Sequence, residues 1–181
     1  MSDIHGKIVI DKKHIFDVSL PNYDNLESSF FKTRSGGVPM PQLPAPEEVL
    51  QRNSDRVYGV IKYEELSLFV KYGGHTQLRI EGAVAMHAIR QTFSKEDLPV
   101  PELFGWRTYD GKSFIYMELV SGTTLEEAWP DLTLDEKTSI EEEMKRIVAK
   151  LRSIKQPEGR VHIGMSNYDD SSITPRCLRT R

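Results

Sequence analysis

From residue 57 onward, hydrophobic positions fall into two rhythms, short β-type runs and longer stretches at helical spacing, while residues 1–46 show neither. The runs Val57-Tyr58-Gly59-Val60-Ile61 and Leu66-Ser67-Leu68-Phe69-Val70-Lys71 flank the polar Tyr63-Glu64-Glu65, which predicts a β-hairpin. Tyr72-Gly73-Gly74 breaks the second run, and a helix is predicted over 76–93. The prolines in Leu98-Pro99-Val100-Pro101 cannot continue it. Residues 103–108 and 113–120 then flank Asp110-Gly111, the dipeptide of a type I′ turn, which predicts a second hairpin. After Ser121-Gly122, Thr124-Leu125-Glu126-Glu127 and Thr133-Leu134-Asp135-Glu136 each match the capping box, in which threonine and glutamate satisfy each other's free N–H groups. The second opens a long helix with Ile140, Met144, Ile147, Val148, Leu151 and Ile154 at helical spacing. Glu141, Glu142, Lys145 and Arg152 fall elsewhere, as in a core-packing helix with a solvated charged face.

The order strand, strand, helix, strand, strand, helices predicts an α+β fold with a small antiparallel sheet and one crossover helix. Ahead of it, residues 35–46 (SGGVPMPQLPAP) hold four prolines and two adjacent glycines and read as an extended connector. The arm preceding the connector carries Phe16, Tyr23, Phe30 and Phe31, aromatics suited to packing on the main body. Pro46-Glu47-Glu48 has the form of a helix first turn. Residues 156–181 are rich in Gly, Ser and Asp, lack periodicity and are expected to fray. No repeat of fixed period is visible, which sets solenoids aside.

Composition narrows the partners. The 181 residues include 38% hydrophobic and 28% charged positions, which is globular rather than disordered. With 24 Lys+Arg against 27 Asp+Glu the net charge is −3, which argues against a nucleic-acid partner. Cys177 is the single cysteine, so neither an internal disulfide nor a cysteine-rich zinc site can form, and a reducing compartment is expected. The N-terminal run Ile8-Val9-Ile10 is too short for a secretory signal, and no stretch approaches the ~18 apolar residues of a membrane span. A soluble cytoplasmic protein without membrane contact is the expectation.

Most chemical motifs fail on spacing. Gly111-Lys112-Ser113 ends like a phosphate loop, but the first glycine of G-x-x-x-x-G-K-[ST] would fall at Trp106, and the tripeptide sits in a predicted hairpin. No two of the 12 glycines are spaced i, i+2, so a G-x-G-x-x-G flap is missing too. The five histidines, at 5, 14, 75, 87 and 162, have no metal-ligand spacing with one another or with cysteine, so no metal site is expected. Serine-nucleophile motifs of the G-x-S-x-G type are absent, and no catalytic residue is assigned. Lys71 and Glu81 say more. At 100° per residue Glu81 falls within the arc of Leu78, Val84, Ala85, Ala88 and Ile89, and a carboxylate on a core-facing stripe is costly unless a cation meets it. Lys71 ends the preceding strand on the same face as Phe69, so a Lys71–Glu81 ion pair would satisfy both. In the plainer reading Lys71 is a solvated strand end and Glu81 snorkels to water.

The succession LFVKYGG (68–74), LRIEGAVAMHAIRQ (78–91), LPVPELFGW (98–106), FIYMELVSGTTLEEAW (114–129) and IVAKLRSIKQ (147–156) resembles the fungal branch of the aminoglycoside phosphotransferase and choline kinase-like family, over roughly residues 43–164. The resemblance implies a protein-kinase-like N-lobe, a hinge and the first helices of a truncated C-lobe. Residues 1–46 would be an N-terminal arm, 47–120 the N-lobe, 121–164 the linker and start of the C-lobe, and 165–181 an unstructured tail. It implies that Lys71 grips nucleotide phosphates, that Glu81 orients Lys71, and that Met117, Glu118 and Leu119 form the hinge whose backbone reads the adenine edge. ATP is the implied ligand, bound weakly, with Mg²⁺ expected only in full-length relatives. Those relatives transfer phosphate from ATP to a small molecule through an H-G-D-x-x-x-x-N loop and a later metal-binding Asp. No histidine here begins an H-x-D triplet, so the expectation is a truncated, inactive phosphotransferase-type chain. Without the second lobe the apolar stripe of the 133–155 helix has little to cover it, so poor stability or self-association is also expected. The competing expectation is a non-enzymatic protein-interaction module of α+β type, whose exposed helix face docks a partner helix or protein.

Overall fold

The computed structural model describes residues 8–9, 22–23, 28–32 and 41–155. The segment 165–181, Phe16 and the side chain of Tyr23 lie outside the described residues. In chain order the elements are β1 (Ile8–Val9), β2 (Asn22–Tyr23), α1 (Ser29–Lys32), α2 (Pro46–Gln51), β3 (Gly59–Tyr63), β4 (Leu68–Gly74), α3 (Glu81–Thr92), β5 (Leu103–Tyr109), β6 (Lys112–Glu118), α4 (Leu125–Ala128), α5 (Leu134–Ser153) and β7 (Ile154–Lys155). The main sheet has the order β2-β5-β6-β4-β3 and is antiparallel throughout, with α3 as the crossover between β4 and β5. The two-residue strands β1 and β7 pair separately and in parallel. The fold is α+β.

Local chemistry explains the turns. Asp110 and Gly111 adopt φ of 47° and 68°, the two positive values of a type I′ turn, and β5 and β6 zip from there. Between β3 and β4, a 3-10 turn at Glu64–Leu66 ends on Ser67 in the left-handed region (φ 51°), whose N–H donates to the Glu64 carbonyl at 3.1 Å. Both expected capping boxes form, at Thr124 with Glu127 and at Thr133 with Glu136.

Each strand alternates between two apolar layers. On the first face, Tyr63, Leu68, Val70, Tyr72, Phe114 and Tyr116 pack with Val49 of α2, Leu43 and Phe30. Here the N-terminal arm joins the body. The rings of Phe30 and Phe104 lie 5.0 Å apart, and the Tyr116 hydroxyl donates to the Pro44 carbonyl at 2.9 Å. On the second face, Leu103, Trp106, Ile115 and Met117 pack against Ala83 of α3, with Phe69, Leu78, Ile80 and Met86 around them.

Two expectations need correction. The strand does not break at Tyr72; it runs through Gly74, and the Gln77 and Leu78 N–H groups turn back onto the Gly74 carbonyl before α3 opens at Glu81. The glycines permit this by leaving room, since a Cβ on Gly73 would stand 3.0 Å from the Tyr58 Cβ. Nor does α5 pack into a core, because none of its residues is buried. The arm and α2 cover the first sheet face and α3 covers the part of the second toward β5, and α5 is held instead by polar contacts. Arg146 donates to the Asp97 and Glu96 carbonyls, each at 3.2 Å, and the Lys150 ammonium pairs with the Asp97 carboxylate.

Candidate functional site

Lys71 sits at the middle of β4, paired in register with Val60 of β3 on one side and Ile115 of β6 on the other. Strand alternation puts its side chain on the second face, beside Phe69. Toward β5 this face is covered by α3; toward β3 it is open, with Lys71 exposed and Val60 51% exposed. The Lys71 ammonium lies 6.0 Å from the Phe69 ring centroid, the outer limit of a cation–π contact, and makes no ion pair among the described residues. Its in-register neighbours Val60 and Ile115 are apolar, so the amine has no carboxylate directly beside it on either strand.

Glu81 lies on the side of the sheet that α3 covers, yet it does not meet Lys71. Its carboxylate accepts from Arg79 Nη2 at 3.2 Å. The expected Lys71–Glu81 pair is therefore not formed, and the reason is the late start of α3. Glu81 is the first residue of that helix, where free N–H groups and the helix dipole favour a carboxylate. A hydrogen bond from its own N–H holds its carboxyl below the usual range, against the opposing effect of burial, and Arg79 and His75 add to the lowering. Its own N–H and Arg79, rather than the Lys71 amine, offset the burial cost.

The three residues expected at the hinge leave the sheet in sequence. Met117 is buried in the second-face core, while Glu118 and Leu119 are half-buried. Both of the latter spend their N–H groups inside the fold, Glu118 on the Glu102 carbonyl at 2.8 Å and Leu119 on the Ser67 carbonyl at 2.9 Å. The Glu118 carboxylate accepts from the Lys95 ammonium at 2.8 Å and from the Glu102 N–H at 3.1 Å. Burial works against its charge most strongly, but Lys95, the Glu102 N–H and Arg90 together outweigh it and lower its pKa. The chain then emerges at Val120, which is 63% exposed.

The sequence placed Phe69 on the face of Lys71 but gave Val60 and Arg79 no part in the site. Counting back through the hairpin from Lys71 to Val60 is enough to find the first, and the i, i+2 placement of Arg79 before Glu81 signals the second. Lys62, two residues along β3 from Val60, adds a second cation near this end of the sheet. The Glu127 carboxyl is held low chiefly by the Thr124 N–H and hydroxyl, with a smaller contribution from the Lys62 charge. Among the described residues no group of three or more His, Cys, Asp or Glu is arranged to hold a metal ion. A depression of about 450 Å³ lined by Asn53, Asp55, Arg56, Val57 and Lys112 lies at the far end of the β4–β6 ladder, where Gly74 pairs with Lys112, and is separate from this site. Among the described residues no helix is long and apolar enough to cross a membrane. Comparison with protein-family models, with curated proteins and with solved structures finds no match.

Proposed function

We propose that this chain carries the nucleotide-gripping half of a kinase-like fold of the aminoglycoside phosphotransferase and choline kinase-like type, and that it binds ATP weakly without transferring phosphate by itself. The observation that carries the reading is Lys71, an unpaired amine at the centre of a half-open sheet face, on the strand that feeds the crossover helix. In the resemblance that is the position of the lysine that holds nucleotide phosphates. Val60 and Phe69 supply apolar surface beside it of the kind a base stacks against. Two features weaken the grip. Glu81 is engaged by Arg79 and would have to change partner to orient Lys71. The N–H groups of Glu118 and Leu119 are already donated, so base-edge contacts fall to carbonyls of 117–119 or to the N–H of Val120. Within these 181 residues no H-x-D triplet supplies a catalytic loop, which is why the proposal stops at binding.

The test is a thermal shift with Mg-ATP on the full chain. Ligand bound only by the folded state at saturating concentration should raise Tm by about 2–4 °C, and Lys71→Ala should remove that rise while leaving the unliganded Tm within about 1 °C, because the side chain is exposed. An equal shift in both proteins, or none in either, overturns the assignment. A second reading, the non-enzymatic α+β interaction module, is favoured by one observation: α5 buries no residue. Absence of any nucleotide shift would leave that reading in place.

A further inference from the structure

We propose that α5 is a self-association surface, on which a second copy of this chain docks antiparallel and two-fold symmetric. The helical repeat places Met144, Val148 and Leu151 within an arc of about 60°. They are 49%, 37% and 40% exposed, whereas Ile140, Ile147 and Ile154 on the neighbouring arc are partly buried. Beyond the N-terminal end of this stripe, Trp129 lies 45% exposed beside the helix, with the Lys137 ammonium 5.3 Å from its ring centroid. Apolar surface thus runs along the outward side of α5, away from the Arg146 and Lys150 contacts that tie the helix to residues 96–97.

Charge identifies the occupant. Leu134–Glu143 carries five acids and one lysine, while Met144–Ser153 carries four basic residues and no acid. The helix dipole alone favours that gradient, so the discriminating feature is where the free charges stand. Glu141 and Arg152 both flank the apolar stripe. Glu141 is spent on Lys145 at 2.7 Å, but Arg152 has no ion-pair partner among the described residues. A parallel pair would set acid half against acid half. An antiparallel pair with Met144 against Val148 of the second copy sets acid against base and brings Arg152 of the second copy alongside Glu141. By symmetry each such contact occurs twice. A partner of uniform charge would complement one half of the helix and repel the other.

Sedimentation equilibrium of the full chain over about 10–500 µM tests this. A monomer–dimer equilibrium is expected, abolished by Val148→Glu with helicity by circular dichroism unchanged. Arg152→Glu should weaken the dimer about five- to ten-fold, since the lost pair counts twice. The swap Glu141→Lys with Arg152→Glu should restore it, which no general loss of folding would do. A monomer throughout the range overturns the proposal, as does a dimer indifferent to Val148→Glu or a swap that fails to rescue. None of these outcomes depends on nucleotide, so this surface and the Lys71 reading stand or fall separately.

Discussion

The Glu118 carboxylate ends β6 with the Lys95 ammonium on one oxygen and the Glu102 N–H on the other, at 2.8 and 3.1 Å. Because these partners lower its pKa in the folded state, the unfolded chain binds more protons through the acid range. The stability this group contributes is therefore complete above the ordinary carboxylate range and is lost as pH falls through the folded value. Glu118→Gln keeps the shape but removes the charge, and should cost on the order of 1–2 kcal/mol at pH 7. The gap between the thermal melts of the two proteins should narrow as pH falls through the lowered native value, where the native carboxyl is protonated as well; a gap that stays constant from about pH 7 down to about pH 2 would refute this account. Lys71 shows how far single residues were legible. Its face beside Phe69 followed from alternation, although it is mid-strand and not at a strand end, whereas the partner of Glu81 did not, because a shift of the helix start by five residues converted a presumed core acid into a first-turn acid.

At the scale of elements, local signals carried well where a helix cap or a tight turn is closed by residues within four of one another. The capping boxes at Thr124 and Thr133 and the type I′ turn at Asp110-Gly111 are of this kind. Gly111 provides a clean measure of one such signal, because an added Cβ would meet nothing within 4 Å while its φ of 68° remains unfavourable for any L side chain. Gly111→Ala should therefore cost about 1–2 kcal/mol from backbone strain alone. The expected readout is a lowered urea midpoint with unchanged m-value; a wild-type midpoint would mean that the turn relaxes to another type. The register of β4 through Gly73 and Gly74 was not legible in the same way. It depends on how closely Tyr58 approaches from across the hairpin, a contact that no local run of residues announces.

For the whole molecule, the sheet and α5 are stabilised by different means, and this decides which part opens first. The sheet carries an apolar layer on each face, open on the second only toward β3, with Trp106, Phe114 and Tyr116 fully buried. In contrast, α5 reaches the body through the Arg146 fork on the Asp97 and Glu96 carbonyls, the Lys150–Asp97 pair and a row of half-buried isoleucines. That difference also explains why the sequence could place the α5 stripe but not say what it touches: burial of a helix face depends on whether the sheet still has an open face to receive it. Segments with few buried contacts open at the low end of a protein's range of local stabilities. Arg146→Ala removes both carbonyl contacts at once. Since the side chain is more than one-third exposed, solvent screening keeps the loss modest. Hydrogen exchange in Leu134–Ser153 should then accelerate about five-fold, with β4 and β6 unchanged. Equal acceleration in the sheet would instead show that α5 and the sheet unfold as one cooperative unit, and that the polar joint at residues 96–97 is integral to the core's stability rather than a separable attachment.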